Sequence, residues 1–178
     1  MSENGLEQGL QEINKNQAGE IVYTFLTQLI RQPDFPEGTY WQRQIFEANE
    51  VIIHENDVDH RIYIVEEGSL IVTSSIDMED NRKIRPGIYM LEPGEVFGEF
   101  CLFNNLPRTA TVTASSNGKL IAIDAIQLQI YMDANPEAGY RVMREIYETI
   151  VDRLLLTNKR VENLFAWGLK AHGIEKHL

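Results

Sequence analysis

Short apolar runs alternate with turn signals between residues 41 and 124, and too little sequence separates the runs for helices to connect them. The runs are EVIIHE (50–55), RIYIVEE (61–67), SLIVTSSI (69–76), RTATVTA (108–114) and KLIAID (119–124). The turn signals are Glu67-Gly68, Pro86-Gly87, Pro93-Gly94 and Asn117-Gly118. Short strands at close spacing indicate an antiparallel barrel, because parallel strands need crossovers of about a dozen residues or more. We therefore predict a mainly β fold with flanking helices, in which an antiparallel β-roll of the jelly-roll type precedes a long C-terminal helix.

The segment before the predicted barrel divides into a tail and a helix. Residues 1–18 are polar and rich in Gln, Asn and Glu, so we expect a mobile tail. Residues 19–31 carry apolar groups at helical spacing, and Pro33 and Pro36 follow them. The predicted domain therefore comprises this helix and the β-roll, residues 19–135.

A long helix is predicted after the barrel, preceded by a short helix over residues 125–132. Asn135-Pro136-Glu137 is a favourable helix start. The pattern continues to about Trp167, and Gly168 is expected to end the helix. A seven-residue repeat typical of paired helices is formed by Tyr147, Ile150, Leu154, Thr157, Val161 and Leu164. Residues 136–178 are thus predicted to form a dimerisation or lid helix and a short tail; the alternative is a helix that lies on its own barrel.

Composition and charge limit the classes of partner. The chain has 178 residues, with 16 Lys and Arg against 27 Asp and Glu, a net charge of −11. Such a chain repels DNA and anionic lipid unless a local basic patch overrides its field. Its sequence contains neither a membrane-spanning apolar run nor a secretory signal, and its single cysteine fits a reducing compartment. We expect a cytoplasmic protein without a DNA or membrane partner.

The stretch FGEFCLFNNLPRTAT, residues 97–111, combines groups that suit a sugar phosphate. Gly98 has no Cβ, so a ligand can approach the backbone closely there. Glu99–Phe103 could form one helical turn whose free N–H groups point at an anion. Arg108 can make a two-pronged contact to a phosphate, and the Glu99 carboxylate can accept from a sugar hydroxyl. These groups predict a sugar-phosphate pocket on the barrel wall.

The same stretch resembles the phosphate-binding cassette of the cyclic nucleotide-binding domain family. The FGE start, the apolar turn and the PRTAT ending match, and the spacing of nine from Glu99 to Arg108 is the one found in protein kinase regulatory subunits. The resemblance implies that Glu99 holds the ribose 2′-hydroxyl and Arg108 the cyclic phosphate. The other residues that it assigns to ligand binding in this cassette are Gly98, Phe100, Cys101, Thr109 and Ala110.

The resemblance covers about residues 20–167, with a departure at Asn56, where the family often has glycine. Asparagine tolerates a positive φ better than other non-glycine residues, so we expect the turn to form. Cys101 is predicted to be a small packed hydrophobe.

The long helix resembles the dimer helix of the family's bacterial catabolite activators over residues 153–164. In those proteins a threonine and the following serine reach the adenine, one from each subunit, which implies base contacts for Thr157 and Asn158. The alternative for Thr157 is a polar interruption of the dimer seam. Activators also carry a helix-turn-helix domain after this helix. Only eleven residues follow Trp167 here, so we expect no DNA-reading element.

We predict a stand-alone cyclic nucleotide sensor without a cofactor, which forms a homodimer and signals through a protein effector. No nucleophile–base arrangement is visible, so we expect no catalysis. A threonine at position 109 contacts guanine in kinases regulated by cyclic GMP, whereas Thr157 favours cyclic AMP as the ligand.

Two other functions remain open. One is a ligand-free scaffold in which Arg108 pairs with Glu99. The other is a cupin-type metal enzyme using His54, His60 and Glu66, although cupins place their two histidines two residues apart rather than six.

Overall fold

The computed structural model describes residues 25–77, 83–84, 87–102 and 106–171. The predicted N-terminal tail, residues 19–24 of the predicted first helix, Phe103 of the cassette turn and the predicted C-terminal tail beyond 171 lie outside the described residues.

Within these residues the chain forms strands, helices and one 3₁₀ turn in the order predicted. The strands are β1 Trp41–Phe46, β2 Val51–Ile53, β3 Arg61–Glu67, β4 Leu70–Thr73, β5 Ile76–Asp77, β6 Lys83–Ile84, β7 Gly87–Leu91, β8 Val96–Phe97, β9 Thr111–Ala114 and β10 Gly118–Asp124. The helices are α1 (25–29), α2 Ala125–Ala134 and α3 Pro136–Ala171, and the 3₁₀ turn is Glu99–Leu102.

The strands form two four-stranded sheets and a small hairpin. The first sheet has the order β1-β10-β3-β8, the second β2-β9-β4-β7, and β5 pairs with β6. Every pairing is antiparallel. The mainly β fold with flanking helices and a long C-terminal helix is confirmed. The hydrogen bonding of the described strands does not pass from one four-stranded sheet to the other, so the barrel is not closed.

The central strands β3 and β10 are buried on both faces, which explains their unbroken apolar runs. On β3, Tyr63 and Val65 belong to the core between the two sheets, while Ile62 and Ile64 belong to the core under the helices. On β10, Leu120 and Ala122 face inward in the same way. The helices therefore cover the outer face of the first sheet.

The start of α3 agrees with the sequence prediction, and its end does not. Pro136 is the first helical residue, and the backbone oxygen of Asn135 accepts from the N–H of Gly139, 2.9 Å away. The prediction that Gly168 ends the helix is wrong, because α3 continues to Ala171. Gly168 lacks the positive φ of a helix-ending glycine, and a glycine inside a helix costs only about 1 kcal/mol relative to alanine.

The long helix presents one face to the protein and another to solvent. Val142 and Ile146 are buried in the core under the helices, and Ile150 packs against it. The exposed apolar residues include Tyr147, Leu154, Val161 and Leu164, four of the six residues of the predicted seam. The helix thus lies on its own domain and still leaves most of the seam uncovered. Among the described residues, no helix is long and apolar enough to cross a membrane.

Candidate functional site

A cavity of about 220 Å³ lies between the second sheet, the residues around the 3₁₀ turn and α3. Its sheet wall is formed by Ile53, Val72, Tyr89, Leu91 and Val112, the cassette supplies residues 97–101 and 106–110, and α3 supplies Arg153, Leu156, Thr157 and Arg160. Residues of the predicted cassette and the predicted base-contacting threonine, Thr157, therefore line the same cavity.

Gly98 fits a place where a side chain would not. Its φ is 77°, a conformation that L side chains rarely adopt. An added Cβ would lie 2.8 Å from Nη1 of Arg108 and 3.0 Å from the backbone oxygen of Arg61. Glycine at this position therefore allows the Arg108 guanidinium to reach the start of the cassette turn.

Arg108 is a buried cation on the cavity wall, with 7% of its surface exposed. Nη1 donates to the backbone oxygen of Gly98 at 2.9 Å, and Nη2 donates to the backbone oxygen of Arg61 at 2.6 Å. Nη2 also forms an ion pair with Oδ2 of Asp59 at 3.1 Å. The third nitrogen, Nε, is buried and has no hydrogen-bond partner among the described residues.

The turn at Asn56 holds the backbone of Arg108 in place. Asn56 has a φ of 73°, so the expected left-handed turn does form with asparagine in place of glycine. Its N–H donates to the backbone oxygen of Arg108, and the N–H of Arg108 donates to the backbone oxygen of Asp57, both at 2.8 Å. Asn56 at this turn thus supports the Arg108 end of the cassette from a distant part of the chain.

Asp59 is the anionic partner of this end of the cavity. Burial raises the pKa of its carboxyl, but hydrogen bonds and charges from Arg61 and Arg108 outweigh burial, and the pKa is lowered overall. Asp59 also accepts from the hydroxyl of Tyr63 at 3.2 Å. The ion pair with Asp59 fixes the orientation of the Arg108 guanidinium.

Glu99 pairs with α3. Its carboxylate, 4% exposed, lies 2.8 Å from Nη1 of Arg153. The Arg153 guanidinium also donates to the backbone oxygen of Val96 and lies 5.8 Å from the centre of the Tyr89 ring. The Arg108–Glu99 salt bridge expected of a ligand-free scaffold is not the arrangement found, because each residue pairs with another partner.

The two predicted base-contacting residues have different surroundings. Thr157 lines the cavity, and its hydroxyl donates to the backbone oxygen of Arg153 at 2.8 Å. Asn158 is exposed and does not line the cavity of its own chain. A contact from Asn158 to the base would therefore have to be made in a second subunit.

The remaining cassette residues differ in exposure. Phe100, Thr109 and Ala110 line the cavity, with Phe100 and Thr109 exposed and Ala110 half-buried. Cys101 is buried, and its thiol donates to the backbone oxygen of Gly98 at 3.1 Å. Burial raises the pKa of the thiol, so Cys101 packs as a neutral group.

The charged side chains on the cavity wall sum to a positive local charge. They are Arg108, Arg153, Arg160 and Glu99. The whole chain carries −11, so the cavity is locally suited to an anion that the overall field would repel.

The alternative metal site does not assemble. His54 is exposed, and Glu66 is bonded to Arg43 at 3.1 Å. Within the part of the chain that the structure describes, no three His, Cys, Asp or Glu side chains are grouped so that they could hold a metal ion.

The family model of the cyclic nucleotide-binding domain matches residues 43–135, just over half of the 178 residues. The chain belongs to the cyclic nucleotide-binding domain family. Among its relatives, a cAMP-dependent protein kinase regulatory subunit of Dictyostelium discoideum is 34% identical over 79 residues, which are 44% of this chain and 24% of that protein. A human potassium/sodium hyperpolarization-activated cyclic nucleotide-gated channel 3 is 27% identical over 118 residues, 66% of this chain and 13% of that protein. The cyclic nucleotide-binding domain described here spans about a quarter or less of the length of these curated relatives.

Solved structures agree with the fold of this cyclic nucleotide-binding domain. A cyclic nucleotide-binding domain from Methylobacillus flagellatus superposes with a TM-score of 0.63 at 18% identity, covering 70% of this chain and 67% of that one. The catabolite activator protein of Thermus thermophilus gives 0.57 at 21% identity, covering 70% and 55%. At these identities the likeness establishes the fold.

Three charged residues that line the cavity or support it were not predicted as site residues from the sequence. Arg153 and Arg160 line the cavity from α3, and Asp59 orients Arg108. Arg153 had a detectable signal, because it lies four residues before Thr157 and therefore on the same side of a helix. No sequence signal connects Asp59 with Arg108, 49 residues away.

Proposed function

We propose that this protein is a cyclic nucleotide sensor that binds cyclic AMP in preference to cyclic GMP and signals through a protein partner. The ligand would lie in the described cavity, with its cyclic phosphate at Arg108 and its ribose at Glu99. We propose binding without catalysis, since the thiol on the cavity wall, Cys101, is buried and its pKa is raised.

The observation that carries the proposal is the state of Arg108. Two of its nitrogens are held by Asp59 and backbone oxygens, while the buried Nε has no partner among the described residues. A buried donor without a partner costs about 1–3 kcal/mol. A phosphate oxygen that accepts from Nε would remove this cost, and Arg forms charge-assisted bonds of this kind with phosphates.

The identity of the nucleotide is supported by the relatives. Several of them are named as cAMP-dependent protein kinase regulatory subunits. These proteins work with a kinase, which favours a protein effector for this chain as well.

Cyclic AMP is expected to raise the melting temperature. Ligand that binds only the folded state stabilises it by about 2.7 kcal/mol at a hundredfold excess over Kd. For a chain of this size each kcal/mol adds roughly 2–4 °C, so we expect a shift of roughly 5–10 °C in a thermal scan, larger with cyclic AMP than with cyclic GMP. AMP, which lacks the cyclic phosphate, is the matched control. No shift with either cyclic nucleotide at millimolar concentration would contradict the proposal.

We further propose that the protein is a homodimer paired through α3. The support is the exposed apolar stripe, in which Tyr147, Leu154, Val161 and Leu164 are 66%, 57%, 47% and 67% exposed. Leu154 and Val161 lie seven residues apart and would be the central residues of a parallel seam.

Changing both Leu154 and Val161 to glutamate should convert the dimer to a monomer, because like charges would be buried at the seam. Light scattering at micromolar concentration measures the change. The matched control places the same charges at Ile126 and Ile130 of α2, which are 48% and 54% exposed, and should remain dimeric. A parent protein that is already monomeric under these conditions would refute the dimer.

A further inference from the structure

The direction of the Arg108 Nε–H depends on what holds the other two nitrogens of the guanidinium. A guanidinium is planar, so fixing Nη1 and Nη2 also fixes where the Nε–H points. Nη1 is held by the backbone oxygen of Gly98 at 2.9 Å. Nη2 is held by the backbone oxygen of Arg61 at 2.6 Å and by Oδ2 of Asp59 at 3.1 Å. A phosphate that accepts from Nε therefore depends on both of these attachments.

Asp59 is in turn held by two side chains of unequal exposure. Its Oδ2 accepts from the Tyr63 hydroxyl at 3.2 Å and from Nε of Arg61 at 3.1 Å. The Arg61 side chain is 44% exposed, and water weakens an ion pair at such a position. Tyr63 is 1% exposed, so its hydroxyl is the partner of Asp59 that is shielded from water.

Tyr63 also connects the two ends of the Arg108 guanidinium. Its ring stacks on that of Phe97, with the ring centres 5.0 Å apart and the planes at 14°, and the two residues are paired across β3 and β8. Phe97 immediately precedes Gly98, which holds Nη1. The Tyr63 hydroxyl contacts Asp59, which holds Nη2. One buried ring thus lies behind both attachments.

The Tyr63 hydroxyl is a donor throughout the neutral pH range. Burial raises the pKa of Tyr63 to about 12, and the charge of Asp59 adds to the rise. Tyr63 is not among the residues that line the cavity. Its hydroxyl can therefore affect a ligand only through the groups that it contacts.

We infer that Tyr63 is a positioning residue for the cyclic phosphate: its hydroxyl holds Asp59 so that the ion pair directs Nε of Arg108 towards the ligand. This inference rests on the proposed function and adds to it a residue that does not touch the ligand. The alternative is that Asp59 only satisfies a buried hydroxyl. In that case removal of the hydroxyl would leave ligand affinity unchanged.

The first test is calorimetry on Tyr63→Phe with the cyclic nucleotide that the parent binds, expected to be cyclic AMP. The substitution removes the hydroxyl and keeps the ring. One hydrogen bond is worth a factor of about ten at most, and this one acts indirectly, so we expect binding about three- to tenfold weaker than that of the parent. The matched control is Tyr131→Phe. The Tyr131 hydroxyl also donates to an aspartate, Asp34, at 3.2 Å, and Tyr131 is buried and does not line the cavity. This variant should bind like the parent.

A second background shows whether the effect passes through Asp59. In Asp59→Ala the hydroxyl has lost its acceptor. Tyr63→Phe should therefore change affinity by less than about twofold there, whatever the effect of Asp59→Ala itself. A role of the hydroxyl in packing alone would weaken binding by the same factor in both backgrounds. If Asp59→Ala does not fold, Asp59→Asn takes its place, because a neutral amide cannot form the ion pair with Arg108.

Each outcome decides between the two proposals. Parental affinity of Tyr63→Phe, an equal loss in Tyr131→Phe, or an equal loss in the two backgrounds overturns the role of Tyr63 and leaves the sensor function intact. A parent that binds neither cyclic AMP nor cyclic GMP overturns the sensor function, and the role of Tyr63 with it.

Discussion

Replacing Arg108 by leucine is expected to weaken cyclic nucleotide binding by at least about tenfold to a hundredfold. Hydrogen bonds to charged groups contribute about 1.5–3 kcal/mol, and about 1.4 kcal/mol is a factor of ten in affinity. The protein carries a net charge of −11, so an anion entering the cavity depends on a local cation. Arg108 is the buried member of the three cavity arginines, with 7% of its surface exposed, and so its charge is least screened by water.

The same substitution will also lower stability, and the experiment must separate the two effects. Removing Arg108 leaves Asp59 with Arg61 as its remaining cationic partner, and the pKa of Asp59 should rise because Arg108 helps to lower it. Arg108→Lys keeps a positive charge near Asp59 but cannot reproduce the planar fork. We expect Arg108→Lys to recover part of the affinity that Arg108→Leu loses. Calorimetry performed below the melting temperature of each variant measures affinity on folded protein.

Two further variants control the interpretation. Arg43→Leu removes a half-exposed arginine that pairs with Glu66 outside the cavity, and it should bind like the parent. Glu99→Gln should weaken cyclic nucleotide binding less than Arg108→Leu does, because the amide oxygen of glutamine still accepts a hydrogen bond from the ribose. A folded Arg108→Leu variant with parental affinity would mean that the phosphate binds elsewhere.

The cassette could be predicted because its geometry is local. Gly98 and Glu99 are adjacent, and Arg108 follows within ten residues, so the order of residue types along the chain already indicates that these three residues lie close together on the cavity wall. The structure adds the reason for glycine at 98, which is the contact of an added Cβ with Arg108.

The supports of the cassette could not be predicted, because each comes from far away in the sequence. Asp59 lies 49 residues before Arg108, and Arg153 lies 54 residues after Glu99. An ion pair across such a distance depends on how the sheets and α3 pack, and no periodicity along the chain reports that. The positive φ at Asn56 was predictable, but its hydrogen bonds to the backbone of Arg108 were not.

The long helix shows the limit of pattern-based reasoning about faces. Its apolar residues belong to two stripes, one that packs on the domain at Val142 and Ile146 and one that is exposed at Leu154 and Val161. A seven-residue repeat identifies the exposed stripe but does not reveal that Thr157, counted in it, also lines the cavity. Because one side of α3 packs on the domain and another side is exposed and apolar, both sides contribute apolar residues to one sequence pattern. The pattern alone does not separate them.

Glu145 lies on the packed side of α3, and its replacement is expected to stabilise the protein in a pH-dependent way. The residue is 4% exposed, and its Oε2 has no hydrogen-bond partner among the described residues. Burial raises the pKa of its carboxyl from 4.5 to about 7; the charges of Arg141 and Arg144 oppose this rise, and that of Glu148 adds to it. The residues of α1 (25–29) that pack in the same core are apolar or uncharged and supply no countercharge.

The sign of the effect follows from proton binding. Between pH 4.5 and about 7 the folded protein keeps a proton on Glu145 that the unfolded chain releases, so stability from this group falls as pH rises through that range. Above pH 7 Glu145 is ionised in the folded protein as well, and the full free-energy cost of burying its charge lowers stability. At about 1.4 kcal/mol per pKa unit it amounts to roughly 3 kcal/mol.

Glu145→Gln removes this cost, because glutamine stays neutral at every pH. We expect the variant to gain roughly 1–3 kcal/mol over the parent at pH 8 and less than about 1 kcal/mol at pH 5, which at roughly 2–4 °C per kcal/mol is several degrees at the higher pH. Thermal scans of the parent and the variant at pH 5 and pH 8 measure the gain in melting temperature at each pH. The effect of pH on the other titrating groups is common to both proteins and cancels when the variant is compared with the parent. Glu148→Gln, three residues along the same helix and paired with Arg144 at 3.7 Å, makes the same change of charge at a half-exposed position and is the matched control. An equal shift for Glu145→Gln at pH 5 and pH 8 would show that the carboxyl is already ionised in the folded protein at pH 5, and that burial on this side of α3 does not hold its proton.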